Sequence, residues 1–206
     1  MDGGYDDGYR NCPCFWGREP GSLILKLQTY IPEFQNLRIL DAGCGEGKNA
    51  SYLAKHGAVV RAMDASEIAI SNARDSWGEM DQVTWEVEDV RQVSLPSVSF
   101  DVVIAYGLLH CLRSSEEMIE VVNKLKNATK PGGYNVICAF NDRYQDLTAH
   151  PGFVPCLISH ASFLAMYSEW DVLEATDSDL HEQHPHNNIE HTHSMTRLIA
   201  QHRGVR

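Results

Sequence analysis

Two aspartates flank a glycine-rich turn in the first quarter of the chain. Gly43, Gly45 and Gly47 crowd the turn between Asp41 and Asp64. Glycine lets the backbone approach a ligand closely, and a helix that follows would point its free N–H groups at whatever binds there. An acid about twenty residues after the turn is placed to accept hydrogen bonds from ribose hydroxyls. The pattern predicts a site for an adenosine-containing cofactor; a turn that serves chain geometry alone is the alternative.

The spacing of the glycines favours one class of cofactor. A dinucleotide fingerprint needs G-x-G-x-x-G, whereas this turn reads Gly43-Cys44-Gly45-Glu46-Gly47, with the third glycine one residue early. A carboxylate at Glu46 would repel a pyrophosphate but would tolerate a cationic sulfonium ligand. A nicotinamide-dependent oxidoreductase is therefore the less favoured interpretation.

A second group of chemically active residues lies near the C-terminus. Five histidines fall within a short stretch: His181, His184, His186, His191 and His193. If a strand begins near His191, alternation places one set of side chains on a common face: His191, His193, Met195 and Arg197. Three interpretations stay open, namely a solvated loop, an anion-binding or general-base site, and a metal site. We assign no metal here because the spacing matches no standard zinc pattern.

Alternating apolar segments supply a framework for both groups. Strands are predicted at 38–40, 59–63, 83–87, 100–106, 134–140, 170–175 and 194–201, and helices at 22–31, 49–56, 68–77, 114–129 and 162–167. The run Phe100 to Tyr106 is almost continuously apolar, as in a strand buried on both faces of a parallel sheet. Strands that alternate with helices indicate an α/β fold.

The stretch ILDAGCGEGKNASYLAKHGAVVRAMDAS resembles motif I and the following strand of class I methyltransferases, which use S-adenosylmethionine (SAM). LLHCL after the fourth strand and KPGG before the fifth match other segments of that family. The resemblance implies a Rossmann-like, mostly parallel sheet of seven strands in the order 3-2-1-4-5-7-6, with helices on both faces. It also implies SAM as the cofactor.

The resemblance further implies which residues bind SAM. Asp89 would meet the adenine amino group and the Val90 backbone N–H a ring nitrogen; the alternative is that Asp89 caps a short helix. FWGREP resembles the entry segment of tellurite-resistance methyltransferases, where Trp16 either touches the ligand or serves in packing. The full set of expected cofactor residues is Trp16, Asp41, Gly43, Gly45, Asp64, Ala65, Asp89, Val90 and Tyr106.

Domain organisation follows from the same segments. Residues 1–8 are glycine-rich and acidic, so we expect a mobile N-terminus. Residues 9–206 would then form one domain with an amphipathic lid helix at Ser22 to Ile31 and the histidine-rich segment 181–193.

Composition limits the partners. The formal net charge is -11 and no cluster of Lys and Arg is evident, which argues against nucleic acid and favours a small-molecule substrate. We expect no membrane contact, and either a monomer or a homodimer. The six cysteines are expected to be reduced thiols in a cytoplasmic protein, since no export signal precedes them.

The functional expectation is methyl transfer from SAM to a small soluble acceptor, such as a chalcogen oxyanion (tellurite or selenite) or a thiol. N- or O-methylation of a small metabolite is an alternative, and a non-catalytic SAM- or metal-binding sensor is an alternative of another class. His110 follows the fourth strand, where it would act as a base or serve only in structure. The residues expected at the acceptor are His110, His184, His191, His193 and Arg197.

Overall fold

The computed structural model describes residues 5–184 and 187–204, and it consists of one seven-stranded sheet with its helices. The strands are β1 (Arg38–Ala42), β2 (Val59–Asp64), β3 (Val83–Val87), β4 (Phe100–Tyr106), β5 (Thr129–Gln145), β6 (Asp171–Gln183) and β7 (Glu190–Gln201). The helices are α1 (Asp6–Asn11), α2 (Ser22–Leu27), α3 (Lys48–Lys55), α4 (Glu67–Trp77), α5 (Ser115–Ala128) and α6 (His160–Met166).

The strand order is β3-β2-β1-β4-β5-β7-β6, which confirms the predicted order. Strands β1 to β5 pair in parallel, and β7 runs antiparallel to both β5 and β6. The order in which strands are added to the sheet reverses after β3: β2 and β3 lie on one side of β1, and β4 lies on its other side. Parallel strands bring their carboxyl ends to one edge, and a ligand binds at such a reversal.

Two apolar clusters enclose the sheet. Ile39 joins a cluster with residues from α2, α3 and α4, whereas the next residue, Leu40, joins a cluster with residues from α5 and α6. Successive side chains of a strand point to opposite faces, so β1 contributes to both clusters. Its last four residues are buried, including Asp41, whereas the sequence predicted an apolar strand only at 38–40.

Capping residues fix the starts of three helices. Ser66, Ser114 and Ser159 each accept a hydrogen bond from the backbone N–H three residues later, at 3.0, 3.2 and 3.0 Å. Such caps satisfy N–H groups that have no partner within the helix. The α4 cap matters most for the site, because it fixes the chain directly after Asp64.

At the N-terminus, residues 6–8 lie in α1, where Gly8 is buried against Phe15. The expected mobility of residues 1–8 stays a prediction, and residues 1–4 lie outside the described residues. The amphipathic segment at 22–31 forms a shorter helix, α2, which ends at Leu27 and buries Leu23, Ile24 and Leu27 in the core. Within the described residues, no helix is both long and apolar enough to cross a membrane.

The last two strands are longer than the sequence indicated. β6 extends to Gln183 and β7 begins at Glu190, so most of the histidine-rich segment belongs to a β-hairpin. β6 is an edge strand with mostly exposed side chains, including Asp177 and Asp179. Because an antiparallel edge strand need not be apolar, hydropathy does not reveal its full length.

Candidate functional site

The glycine turn after β1 is fixed by Asp64 at the end of β2. The backbone N–H of Gly45 donates to Asp64 Oδ2 at 2.8 Å, and that of Ser66 donates to Oδ1 at 2.9 Å. Gly43 has a φ of +68°, and a Cβ there would come within 2.9 Å of Leu108, so this position needs glycine. Burial raises the pKa of Asp64, while the two N–H groups oppose the shift.

A cavity of about 340 Å³ opens above this turn, at the carboxyl ends of the parallel strands. Most of the expected site residues line it: Trp16, Gly43, Gly45, Asp64, Ala65, Asp89, Val90, Tyr106, His110 and Arg197. The structure thus brings residues from β2, β4 and β7, and from the turns after β1 and β3, to one cavity.

Asp41, expected at the cofactor, does not line this cavity. It belongs to β1, is fully buried, and lies in register between β2 and β4. Burial raises the pKa of Asp41 to about 7, the nearby Asp64 carboxylate acts in the same direction, and the Ala50 backbone N–H opposes them. Asp41 therefore lies in the core below the cavity and does not line it, because the side chains of a central strand are covered on both faces of the sheet.

Asp89 lines the cavity, but its carboxylate is already paired. Both Asp89 oxygens accept hydrogen bonds from the Arg91 guanidinium, and Oδ1 also accepts from the Arg91 backbone N–H at 2.9 Å. These bonds hold the pKa of Asp89 below its usual range. The carboxylate is thus ionised near neutral pH, and any adenine contact would share it with Arg91.

An aromatic segment closes the cavity from the N-terminal side. Tyr5, Tyr9 and Trp16 line it, and Trp16 Nε1 donates to the Tyr9 hydroxyl at 3.2 Å. No residue of α2 lines the cavity, so α2 is not the expected lid. The segment that covers the cavity is α1 with the residues around it, and we call residues 5–17 the lid.

Glu46 fastens this lid to the glycine turn. Its Oε1 accepts from the Cys14 N–H at 2.9 Å and from Asn72 Nδ2 at 2.8 Å, while its Oε2 accepts from the Phe15 N–H at 2.6 Å. The Glu46 side chain is buried, where hydrogen bonds to a carboxylate are strong. Glu46, whose carboxylate would repel a pyrophosphate, thus also positions the aromatic side chains of the lid.

His110 is buried and stacks on Phe140, with ring centroids 3.9 Å apart. Its Nδ1 accepts a hydrogen bond from the Phe140 backbone N–H at 3.2 Å. Burial lowers the pKa of His110 to about 3, with smaller contributions from His193 and His150. The ring is therefore neutral with its proton on Nε2, so it can donate a hydrogen bond but cannot serve as a base at neutral pH.

The histidine-rich segment is divided by the hairpin. His184, His191 and His193 are buried, which contradicts the interpretation of a solvated loop for these three, whereas His181 is exposed and lies 2.8 Å from Thr192 Oγ1. His186 lies outside the described residues. His191 and His193 share a face with Met195 and Arg197, of which the last two line the cavity.

An imidazolium at His193 does not fit this environment. Burial lowers the pKa of His193 to about 4, with His150 and His191 acting in the same direction. The ring is neutral near pH 7, so it cannot supply the positive charge expected for an anion site. Arg197, which donates to Ser178 Oγ at 2.7 Å, and Lys48, which donates to the Trp16 carbonyl at 2.8 Å, are cations that line the cavity. Both oppose the rise in the pKa of Glu182 that burial causes.

Several residues of the site were not expected from the sequence. His150 follows β5 and packs among the buried histidines, and Glu182 lines the cavity from β6. Glu182 faces His191 in the antiparallel register, so a correct hairpin register would have identified it. His150 is isolated in sequence, and no local signal connects it to the others.

Comparison with known proteins gives a family match and more distant relatives. Residues 39–133 match the family described as "Methyltransferase domain". A "Hemagglutinin 1" of Eikenella corrodens is 28% identical over 149 residues, covering 72% of this chain and 47% of that protein. A "Ubiquinone biosynthesis O-methyltransferase" of Coxiella burnetii is 30% identical over 109 residues, covering 52% and 45%. The chain spans about half the length of the curated relatives it matches.

Solved structures agree at the level of the fold. TehB from Haemophilus influenzae superposes with a TM-score of 0.72 at 18% identity, covering 89% of this chain and 62% of that one. The family match at 39–133 contains the glycine turn, Asp64, Asp89, Tyr106 and His110. The sequence match and the cavity therefore fall on the same part of the chain.

Proposed function

This chain carries a class I methyltransferase domain whose cofactor is S-adenosylmethionine, and on that premise we propose that it methylates a small soluble acceptor. We further propose that the acceptor carries negative charge, as a chalcogen oxyanion or a thiolate does. We also propose the layered architecture of this class, with helices on both faces of the sheet. The two apolar clusters, each of which contains residues of different helices, support it.

The single observation that carries the proposal is that two kinds of lining share one cavity. We assign the cofactor end to the glycine turn, Asp64 and Ala65, and the acceptor end to Arg197 and Lys48. Both cations lie close enough to Glu182 to oppose the rise in its pKa that burial causes. The donor set at the first end fits SAM, because Asp64 is held by two N–H groups at the position expected for ribose hydroxyls.

The acidic lining also fits the charge of SAM. Glu46, Asp64, Glu88 and Asp89 all line the cavity, and the ligand has a sulfonium cation that carboxylates stabilise. A pyrophosphate would meet repulsion from the same groups. This difference favours SAM over a nicotinamide dinucleotide on electrostatic grounds.

The size of the cavity supports a small acceptor. Its volume of about 340 Å³ lies at the low end of the range for a single ligand site, roughly 300–1,000 Å³. Little space remains beside a bound cofactor. The name of the Coxiella relative, an O-methyltransferase of ubiquinone biosynthesis, is also consistent with a small-molecule acceptor.

When bound, SAM supplies an electrophilic methyl group, which an acceptor lone pair takes as the sulfonium becomes a neutral thioether. Arg197 and Lys48 would hold an anionic acceptor in line with the methyl group, and such alignment is the main source of rate in a displacement of this kind. The neutral His110 would donate a hydrogen bond from Nε2 to orient the acceptor. Tyr9 and Trp16 would exclude water from the cofactor end.

The test begins with calorimetric titration of the purified full chain with S-adenosylhomocysteine (SAH). A methyl-release assay with labelled SAM then screens tellurite, selenite, thiols, small amines and hydroxylated metabolites. We expect micromolar SAH binding and turnover with an anionic acceptor. Binding of NAD without binding of SAH would refute the proposal, and turnover only with neutral amines would refute the anionic acceptor.

Arg197→Gln tests the acceptor end by itself. We expect the variant to keep the SAH affinity of the parent and to lose about tenfold or more in kcat/KM with an anionic acceptor, since one charge-assisted contact contributes roughly 1.5–3 kcal/mol. Arg203→Gln is the matched control, because Arg203 is exposed, pairs with Asp171 and does not line the cavity. Equal losses in both variants would contradict the assignment.

A further inference from the structure

Five side chains converge next to the acceptor end of the cavity. His150 Nε2 lies 3.1 Å from His191 Nε2 and 3.2 Å from His184 Nε2. Glu182 Oε1 lies 3.5 Å from His191 Nε2, 3.7 Å from His193 Nε2 and 4.0 Å from His184 Nε2. We call these five residues the histidine cluster. In four of them, all but His184, the ligand atoms lie within 4.8 Å of one another.

The outer nitrogens of two rings show how the rings are protonated. His191 Nδ1 lies 2.8 Å from the Ile189 carbonyl, and His193 Nδ1 lies 2.8 Å from Gln145 Oε1. A carbonyl oxygen only accepts, so each Nδ1 carries a proton, and in the neutral ring each Nε2 presents a lone pair to the centre of the cluster. An N–H to carbonyl bond of this kind is the usual support of a metal-binding histidine.

The orientation of Gln145 is itself determined. Its Nε2 donates to the Asn141 carbonyl at 2.7 Å and to the Ser194 carbonyl at 2.9 Å, which leaves Oε1 for His193. Gln145 lies opposite His193 in the β5–β7 register. The support for the His193 ring is therefore built into the sheet.

The arrangement of lone pairs favours a positive charge at the centre, where His193 Nε2 is buried without a hydrogen-bond partner among the described residues. His150 Nε2 has one hydrogen or one lone pair, so it cannot donate to both neighbouring nitrogens. The Nε2 atoms of His191 and His193 and a Glu182 oxygen add electron density to a region where His184 stacks on Phe15 and His193 stacks on Phe140. Such groups repel one another in an apolar environment unless a cation or a shared proton lies between them.

We propose that the histidine cluster binds one divalent transition-metal ion, for which Zn²⁺ is the probe. A tetrahedral ion with ligands at about 2.0–2.1 Å keeps its ligand atoms roughly 3.4 Å apart, close to the 3.1–3.7 Å separations of the neighbouring pairs. Imidazole nitrogens with one carboxylate and no thiolate suit zinc, iron, nickel or copper rather than magnesium or calcium.

The ligands come from three segments, so the ion would join them. His150 belongs to the loop after β5, Glu182 to the end of β6 with His184 just beyond it, and His191 and His193 to β7. Glu182 also lines the cavity. Metal binding does not depend on the proposed methyl transfer. Only the statement that the ion lies near the methyl acceptor rests on the proposed function.

The experiment uses the full chain, freed of metal by a chelator. Zn²⁺ is titrated calorimetrically, and Co²⁺ is added separately while the visible spectrum is recorded. We expect one ion per chain and the intense visible bands of four- or five-coordinate Co²⁺. Uptake far below one equivalent, or a Co²⁺ spectrum typical of the hydrated ion, would overturn the proposal and would indicate that a shared proton supplies the charge.

Variants locate the bound ion. His191→Gln should weaken Zn²⁺ binding by about 100-fold or more, since even outer-shell changes typically cost 10–100-fold. His181→Gln, an exposed histidine of the same hairpin, should bind Zn²⁺ as the parent does. Equal affinity in His191→Gln and the parent would also overturn the proposal.

SAH titration of each variant separates folding from metal binding and keeps the two proposals distinct. A chain that binds Zn²⁺ but not SAH would refute the proposed methyl transfer and leave the metal site standing. If His191→Gln fails to fold, the stoichiometry and Co²⁺ spectrum of the parent decide the question.

Discussion

At the scale of single residues, Asp64 combines two tasks that both depend on its position at the end of β2. It accepts the Gly45 and Ser66 N–H groups, one on each carboxylate oxygen, and it lines the cavity. Each oxygen keeps a lone pair for a ligand hydroxyl. The same carboxylate thus shapes the turn and presents acceptors to the ribose that we expect there.

Asp64→Asn should weaken SAH binding by about 1–3 kcal/mol, because the amide replaces one acceptor with a donor and leaves hydroxyl or N–H groups unpaired. Calorimetric titration measures the change. Glu88→Gln is the control, since it removes a charge from the same cavity lining. An equal loss in both variants would show that charge alone matters, and unchanged affinity in Asp64→Asn would show that the ribose lies elsewhere.

At the scale of elements, the lid is connected to the Rossmann-like core through one buried carboxylate. Glu46 accepts three hydrogen bonds, two from the lid backbone at Cys14 and Phe15 and one from Asn72 on α4. Asn72 also donates to the Tyr9 carbonyl at 2.8 Å. These contacts therefore hold the lid against the glycine turn and α4.

Glu46→Gln should release the lid, since its amide group would face a backbone N–H that needs an acceptor. We expect faster amide hydrogen exchange at residues 14–16 and a loss of roughly 1–2 kcal/mol in SAH affinity. Glu19→Gln serves as the control, because Glu19 is an exposed acid just after the lid. Exchange rates and affinity that match the parent would mean that other contacts hold the lid.

At the scale of the whole molecule, the central strand carries an acid that opposes folding near neutral pH. Burial raises the pKa of Asp41 to about 7, whereas an unfolded chain gives about 3.9. The folded state therefore binds the proton more tightly. The contribution is fully present below about pH 4 and is lost as the pH rises through about 7, with a total of ~4 kcal/mol.

Asp41→Asn should remove this dependence. Between pH 5 and pH 7.5 the free energy of unfolding of the parent should fall relative to that of the variant, because only the parent must ionise a buried carboxyl. Urea unfolding at the two pH values measures the difference. Asp75→Asn, at an exposed position of α4, should follow the parent, and an identical pH slope for Asp41→Asn and the parent would contradict the assigned pKa.

The first βαβ unit could be read directly from the sequence. Its strands, turn and helix span residues 38–64, and the bond from Gly45 to Asp64 crosses only 19 positions. Glycine conformation, strand alternation and helix periodicity are local properties, so the residue types themselves predict them. The strand order was also predicted, but through family resemblance rather than through periodicity.

The sequence by itself determined the cofactor end of the cavity, because short-range chain geometry places Gly43, Gly45 and Asp64 together. Only the tertiary structure decided three other features. These are the burial of Asp41, the hydrogen bond from Cys14 to Glu46 across 32 positions, and the contact of His150 with His191 across 41 positions. The physical reason is that a strand's register and the faces it buries depend on its neighbours in the sheet, which no local pattern specifies.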